Sequence, residues 1–524
     1  MRGFFFAAPG PVGAEADAPG AQGDRREHRP DVGDVADLVG VAVDVVPQEQ
    51  AVPARLLDRD GEAHHRLGVA QLGEGGDVQG VVHGRTVPGE CDGAPVGSTA
   101  VSERTYWVET LGCPKNQVDS DKLTGRLVAD GLREAADPTA ADVVVVNTCA
   151  FVEEARQESI DTILDLAGGR REGARLVVTG CLAERYGDEL AEALPEVDAV
   201  AGFGHELLGT GGPASGSVPV QLRARPEVPD FDLLNLPRPA ATAPWAYVKV
   251  AEGCDRACGF CAIPSFRGPQ RSRDAASILA EVDSLGAREI VLVAQDLASY
   301  GRDQGVGERG LVPLVGEVAA RVDRVRLLYL YPSDLTDALV DAICATGVPY
   351  FDLSLQHVSR PLLRRMRRWG DGDRYRRRID DIRAREPDAA LRSNFIVGYP
   401  GETEDDHDAL LRFVEEVELD WCGFFAYSRE DGTYAADLDG AVDPGLMVER
   451  LAELREVQDG ITARRRADLI GTEVEVLVDE PGVGRSHREA PEIDGVVHVP
   501  ASLPVGALAT VTVTGALGPD LEAR

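Results

Sequence analysis

Residues 247–273 read YVKVAEGCDRACGFCAIPSFRGPQRSR, and within them Cys254, Cys258 and Cys261 stand in the spacing C-x3-C-x2-C. Thiols this close converge on one soft metal centre when the backbone loops around it. Structural zinc and the common ferredoxin clusters take four cysteines, and no fourth follows nearby. Three ligands on a four-iron cluster leave one iron open to a small molecule. The competing reading is a zinc knuckle or a chance grouping, against which tight cysteine spacing speaks.

The stretch opens with YVKVAEG, the first of six strand candidates. The others are EIVLVAQD, RVRLLYLYP, YFDLSLQ, LRSNFIVGYP and WCGFFAYS, with helical segments such as RDAASILAEVDSLGA and EDDHDALLRFVEEVE between them. Six β/α units predict an open (β/α)6 barrel, whose chemistry belongs at the carboxyl ends of the strands, where the three cysteines fall. Gln295, Asp296, Tyr331, Gln356, His357, Tyr427 and Ser428 are further strand-end groups. In FIVGYPGETE, Gly398, Gly401 and Glu402 follow the fifth strand, either as an ordinary turn or as a close approach to a nucleoside or methionine moiety. His357 is either a proton donor or a structural hydrogen-bonding group, and Cys344 and Cys422 read as core residues.

Upstream, YWVETLGC, ADVVVVNTC and ARLVVTGC read as strands. Helical segments VDSDKLTGRLVADG and VEEARQESIDTILDLAGG separate them, and a helix from Glu184 and a short strand DAVAGFG follow. This alternation predicts a small parallel α/β sheet. Each of the three strands ends in a cysteine: Cys113, Cys149 and Cys181. A lone cysteine after a buried strand is commonly a small core residue. Three at equivalent strand ends, two of them preceded by Gly112 and Gly180, predict a second cluster with three protein ligands and an open site.

The expected domains are an extension over 1–103, an α/β domain over 104–204, a linker over 205–243, the barrel over 244–463 and a last domain over 464–524. The extension has no lysine and no sustained periodicity. It reads as disorder or as non-native sequence ahead of the true start, with a divergent small domain as the alternative; its Cys91 is assigned no role. The last domain shows a period of two in GTEVEVLVDE, SHREAPEIDGVVHVP and ALATVTVTGALG, which predicts a small all-β, OB-like barrel. From Gly471 on it carries three basic residues against nine acidic ones, which disfavours nucleic-acid binding.

A net charge of −35 over 524 residues argues against a generic nucleic-acid binder. Only three lysines (Lys115, Lys122, Lys249) stand among 54 basic residues. The run RPLLRRMRRWGDGDRYRRR is locally basic; it reads as a solvated helix face, with a ribosomal RNA or acidic-patch contact as the alternative. No apolar run approaches a membrane span and MRGFFFAAPG is too short for a signal core, so a cytoplasmic enzyme is expected.

The stretches LGCPKNQVDS, NTCAFVEEA, AEGCDRACGFCAIPSFRGPQRSR, YFDLSLQH, NFIVGYPGETE, FFAYSREDGTYA and GRSHREAPEIDG together resemble the radical S-adenosylmethionine (SAM) methylthiotransferase family, with its C-terminal TRAM barrel. Within it they look like the ribosomal-protein (RimO-type) branch; His487 and Glu489 depart from that pattern. The resemblance implies 4Fe–4S clusters on Cys254, Cys258 and Cys261 and on Cys113, Cys149 and Cys181. It implies a radical, made from SAM, that takes hydrogen from the β-carbon of an aspartate of small-subunit ribosomal protein S-twelve. The product implied is 3-methylthioaspartate. Phe260, Gln295, Gly398 and Glu402 are the expected SAM contacts. An electron donor such as flavodoxin or ferredoxin and a sulfur source are expected partners. The alternatives are a transfer RNA methylthiotransferase and a non-enzymatic metal or RNA-binding module.

Overall fold

The computed structural model describes residues 104–203, 232–306 and 310–524. The expectations for 1–103, Cys91 and most of the 205–243 linker lie outside the described residues. The N-terminal domain runs β1 (Thr105–Thr110), α1 (Pro114–Ala129), β2 (Arg133–Glu134), β3 (Val143–Thr148), α2 (Glu153–Gly169), β4 (Arg175–Gly180), α3 (Cys181–Ala193) and β5 (Ala199–Ala201). Its strands form one parallel sheet in the order β2-β1-β3-β4-β5. The central strand β3, VVVVNT, is buried along its whole length, as a parallel strand covered on both faces must be. Two helices begin earlier than expected. Helix α1 starts at Pro114, where the fixed φ of proline suits the first turn, and α3 starts at Cys181 rather than Glu184.

Six strands of the second domain fall where the sequence placed them: β6 (Trp245–Lys249), β9 (Glu289–Val293), β10 (Arg324–Leu327), β11 (Tyr350–Gln356), β12 (Ala390–Val397) and β13 (Trp421–Ala426). They pair in parallel as two three-stranded sheets, β10-β9-β6 and β11-β12-β13, joined by a single bridge between Leu330 and Leu353. The result is an open (β/α)6 barrel. After β6 the chain makes a two-stranded ribbon of β7 (Ala251–Glu252) and β8 (Arg271–Ser272), which closes the base of the cysteine loop. That loop contains the short helix α4 (Ile263–Arg267). Helices α5 (Ala275–Leu285), α6 (Leu311–Ala319), α7 (Asp337–Cys344), α8 (Arg360–Arg365), α9 (Gly372–Arg385) and α10 (Glu404–Val417) cover the outside. Leu279, Leu314, Leu339, Ile379 and Leu410 bring apolar faces of these helices into the main core.

Helix α11 (Pro444–Ala467) leads into a closed barrel of β14 (Glu473–Glu480), β15 (Val483–Arg485), β16 (Val497–His498), β17 (Leu508–Leu517) and β18 (Asp520–Ala523). The stretch expected as one strand, SHREAPEIDGVVHVP, is strand only at Val497–His498; residues 486–496 form a loop. The loop's backbone finds its partners on the large barrel instead. Arg326 donates to the His487 and Ser486 carbonyls, Tyr247 Oη to the Pro491 carbonyl and Trp421 Nε1 to the Arg488 carbonyl. Trp421 and Tyr350, which donates to Asp494, each start their strands, so the loop plugs the amino-terminal end of the large barrel. Ala490 belongs to the same apolar cluster as Tyr247, Val291, Tyr350 and Trp421. No helix among the described residues is long and apolar enough to cross a membrane.

Candidate active site

Cys113, Cys149 and Cys181 follow β1, β3 and β4, which are neighbours in the sheet, so the topology brings together three residues far apart in sequence. Gly112 has φ +94°, and a Cβ there would meet Cys149 Cβ at 2.8 Å and its Sγ at 3.0 Å. Only glycine lets the two loops approach this closely. Asn116 ties the loops together, its Nδ2 donating to the Leu111 and Thr148 carbonyls at 2.9 Å each. Burial pushes the Cys149 and Cys181 thiols up; Cys181 and Cys113 add to this at Cys149, while at Cys181 Arg267 opposes it and Cys113 adds to it. At Cys113 burial acts the same way but is outweighed by the Lys115 ammonium and the N–H of Asn116 at the helix start, which hold it below the ordinary thiol value.

The second group sits in the loop above β7 and β8. Cys254 Sγ accepts from the Arg256 N–H at 3.4 Å, and Cys258 Sγ accepts from Arg368 Nη1 at 3.1 Å. Burial raises Cys254 to about 11 and Cys261 to about 12, the other thiols of the loop adding to it. Arg256 pairs with Asp296 at 2.6 Å and with Asp334, and stacks on Tyr331, 4.0 Å from the ring centre. Arg368 covers the same ring at 4.3 Å.

A single segment joins the two groups. Helix α4 leaves the cysteine loop and enters the N-terminal domain, where Phe266 is part of the apolar core with Val144, Leu176 and Leu182. Arg267 follows, with Nη2 donating to Cys181 Sγ at 3.1 Å and to Asn116 Oδ1 at 2.7 Å, and Nη1 to Asp119 and Glu252 at 3.0 Å. Lys249 also binds Asp119 and Glu252. Five residues of largely helical chain thus lie between Cys261 of one thiol group and Arg267, which touches the other. A second junction holds the far side, where Glu430 accepts from Arg156 and Arg185 of the N-terminal domain at 2.6 Å each.

The expected cofactor contacts divide. Gln295 reaches the site, its Nε2 donating to Glu252 at 2.7 Å while its Oε1 is buried without a partner. Phe260 packs half-buried against the barrel core beside the thiols. Gly398 and Glu402 also face α11. A Cβ at Gly398 would collide with Met447 of α11, and Glu402 accepts from the Gly398 N–H at 2.6 Å and pairs with Arg450 of α11 at 2.9 Å. His357 is fully buried, its Nδ1 accepting from the Ser359 N–H at 3.1 Å.

Sequence reasoning missed Arg267, Arg368, Arg256 and Asn116. Arg368 lies in the basic run read as a solvated face, yet its own side chain turns inward. The only signal for Arg267 was its position just after the cysteine loop.

Among the described residues no three His, Cys, Asp or Glu side chains already converge in metal-binding geometry. The fit rests on the donor sets: three soft thiols in each group, with a guanidinium aimed at one sulfur of each. Partnerless buried atoms beyond strand ends, Gln295 Oε1 and Tyr427 Oη, suit a polar organic ligand over the barrel mouth.

Family models match three regions: uncharacterized protein family UPF0004 over residues 105–202, the radical SAM superfamily over 248–414 and the TRAM domain over 470–524. The ribosomal protein uS12 methylthiotransferase RimO of Cutibacterium acnes is 42% identical over 471 residues, 80% of this chain and 98% of that protein. The protein of the same name from Geobacter sulfurreducens is 43% identical over 79% of this chain and 96% of its own. The solved structure of the radical SAM methyltransferase TsrM from Kitasatospora setae, with cobalamin and a [4Fe-4S] cluster bound, is 16% identical. It covers 64% of this chain and 77% of that one at a TM-score of 0.41.

Proposed function

The chain belongs to the ribosomal protein uS12 methylthiotransferase family, and from that premise we propose that it replaces a β-hydrogen of one uS12 aspartate with a methylthio group. In this reading Cys254, Cys258 and Cys261 hold the 4Fe–4S cluster that binds SAM, and Cys113, Cys149 and Cys181 hold the auxiliary one. The observation that carries it is the junction at Arg267, where the segment leaving one cysteine group hydrogen-bonds a sulfur of the other.

When bound, the first cluster and SAM supply a carbon radical strong enough for an unactivated C–H bond, and the auxiliary cluster supplies sulfur. The protein's residues bind, orient and exclude water. Arg368 and Arg267 donate to cysteine sulfurs, which fixes ligand orientation and tunes the metal. Arg256, held by Asp296 and Asp334, shapes the loop over Tyr331. The N-terminal domain closes over the barrel mouth through Phe266 and Glu430, keeping water from the space between the thiol groups. The electron donor is proposed to be a flavodoxin or ferredoxin, with a separate sulfur source, and the place of action the cytoplasm.

The terminal barrel supports a protein substrate over a transfer RNA. Two of its three arginines are themselves buried and spent on ion pairs, Arg485 with Glu289 and Asp479, and Arg488 with Asp388 and Asp420. An acidic enzyme also complements a basic ribosomal protein during encounter. Mass spectrometry of uS12 and of bulk transfer RNA from a deletion strain tests the reading. Loss of the methylthio mass from uS12 alone supports it, and loss from transfer RNA alone refutes it.

A further inference from the structure

Lys115 has a setting unlike that of the other two lysines. Lys122 is buried and paired with Glu281, and Lys249 with Asp119 and Glu252. Lys115 is also more than nine-tenths buried, at 9% exposure, yet no described carboxylate lies within ion-pair distance of it. Its ammonium sits 3.4 Å from the centre of the Tyr329 ring. Its polar neighbours are the Cys113 sulfur and the Tyr329 hydroxyl, and a buried ammonium on an aromatic face with no carboxylate beside it can still receive an anion. Tyr329 is itself held in an unusual conformation, φ +66° for a bulky residue, with its N–H fixed by Asp352 at 2.9 Å. Such left-handed geometry is costly and persists where the surroundings enforce it, often at functional sites.

The position of this pair matters as much as its chemistry. Lys115 is two residues from Cys113. Tyr329 is two residues from Tyr331, the ring covered by Arg368, which donates to Cys258. Two residues of chain span at most about 7 Å. The ammonium therefore lies beside the first thiol group, on a ring that follows β10 and whose chain neighbour Tyr331 lies under the arginine that reaches the second. A substrate carbon acted on by both clusters must lie close to both groups. In aspartate the carboxylate carbon is bonded directly to the β-carbon.

We propose that Lys115 binds the side-chain carboxylate of the substrate aspartate, and that this contact selects an acidic side chain over a neutral one or a nucleobase. The inference rests on the function proposed above. The role it displaces is a purely local one, in which Lys115 only steadies the neighbouring Cys113.

Binding calorimetry on the full-length, anaerobically reconstituted protein separates these. The probes are uS12 and its variant with the modified aspartate changed to asparagine. The wild type is expected to bind the aspartate form about 10- to 100-fold more tightly, the worth of one buried charged hydrogen bond. Lys115→Met should bring the two forms to equal affinity while keeping that for the asparagine form. Lys115→Gln serves as a second neutral variant should Lys115→Met fail to load iron. Retained discrimination in a neutral variant that loads iron, or equal weakening of both forms, overturns the proposal. A wild type that binds neither form refutes the uS12 reading itself.

Discussion

Arg267 donates a hydrogen bond to Cys181 Sγ at 3.1 Å, although 86 positions separate them and they belong to different domains. The same guanidinium reaches Asp119 and Glu252, so its orientation is fixed from behind. A donor aimed at a ligating sulfur orients it and stabilises added electron density on the cluster.

Arg267→Gln should therefore lower the midpoint potential of the auxiliary cluster and weaken its retention by about 10- to 100-fold. Potentiometry in a Cys254→Ala background, which leaves only that cluster, reads the effect. Arg267→Lys, which keeps the charge, should recover part of it. An unchanged potential in Arg267→Gln would remove the residue from the account.

Gly112→Ala should disable the auxiliary site while sparing the other. Its φ of +94° is unfavourable for alanine, and the added carbon would strike Cys149. Iron analysis after reconstitution should fall from about eight to about four atoms per chain. Retention of all the iron would mean that the loops can part without loss.

Glu289 is a buried charge at the contact between the terminal barrel and the large one. It is fully buried, and Arg326 at 2.8 Å and Arg485 at 3.1 Å flank it. Burial alone would raise this carboxyl, but Arg485 and Arg326 hold it down at about 2. Removing one partner of a buried pair strands the other charges, so Glu289→Ala should cost about 3–5 kcal/mol in urea unfolding. A loss below about 1 kcal/mol, the range of exposed pairs, would contradict this.

His357 makes stability depend on mildly acidic pH. Burial, opposed by Asp406 and assisted by His407 and Arg450, lowers it to about 4, against about 6.5 in an unfolded chain. Between these values the unfolded chain binds the extra proton, so stability is full above about pH 6.5 and is lost as pH falls toward 4. His357→Gln should flatten the decline in that window by up to about 1.4 kcal/mol per pH unit. Parallel pH curves for variant and wild type would contradict the assignment.

The layout of the chain was readable because it is written in local signals. Alternation of apolar runs with helical periods located the six barrel strands, and the cysteines at three strand ends followed from parallel topology alone. What the sequence concealed is carried by long side chains acting across domains. Arg368 belongs to a run whose average character is exposed, but one guanidinium turns in to Cys258, 110 positions away. Gly398 and Glu402 after a barrel strand look like a ligand cradle, and in the fold they also meet Met447 and Arg450 of α11, a long-range contact that no local pattern announces. The 486–496 loop alternates like a strand, yet its backbone carbonyls are met by Arg326, Tyr247 and Trp421 of the large barrel.

The central claim is that two three-cysteine groups do different work on one uS12 aspartate, and Cys149→Ala tests it most directly. With SAM, reductant and uS12, this variant should still release 5′-deoxyadenosine while uS12 gains no methylthio mass; Cys254→Ala should give neither. Methylthiolated uS12 from Cys149→Ala would contradict the account.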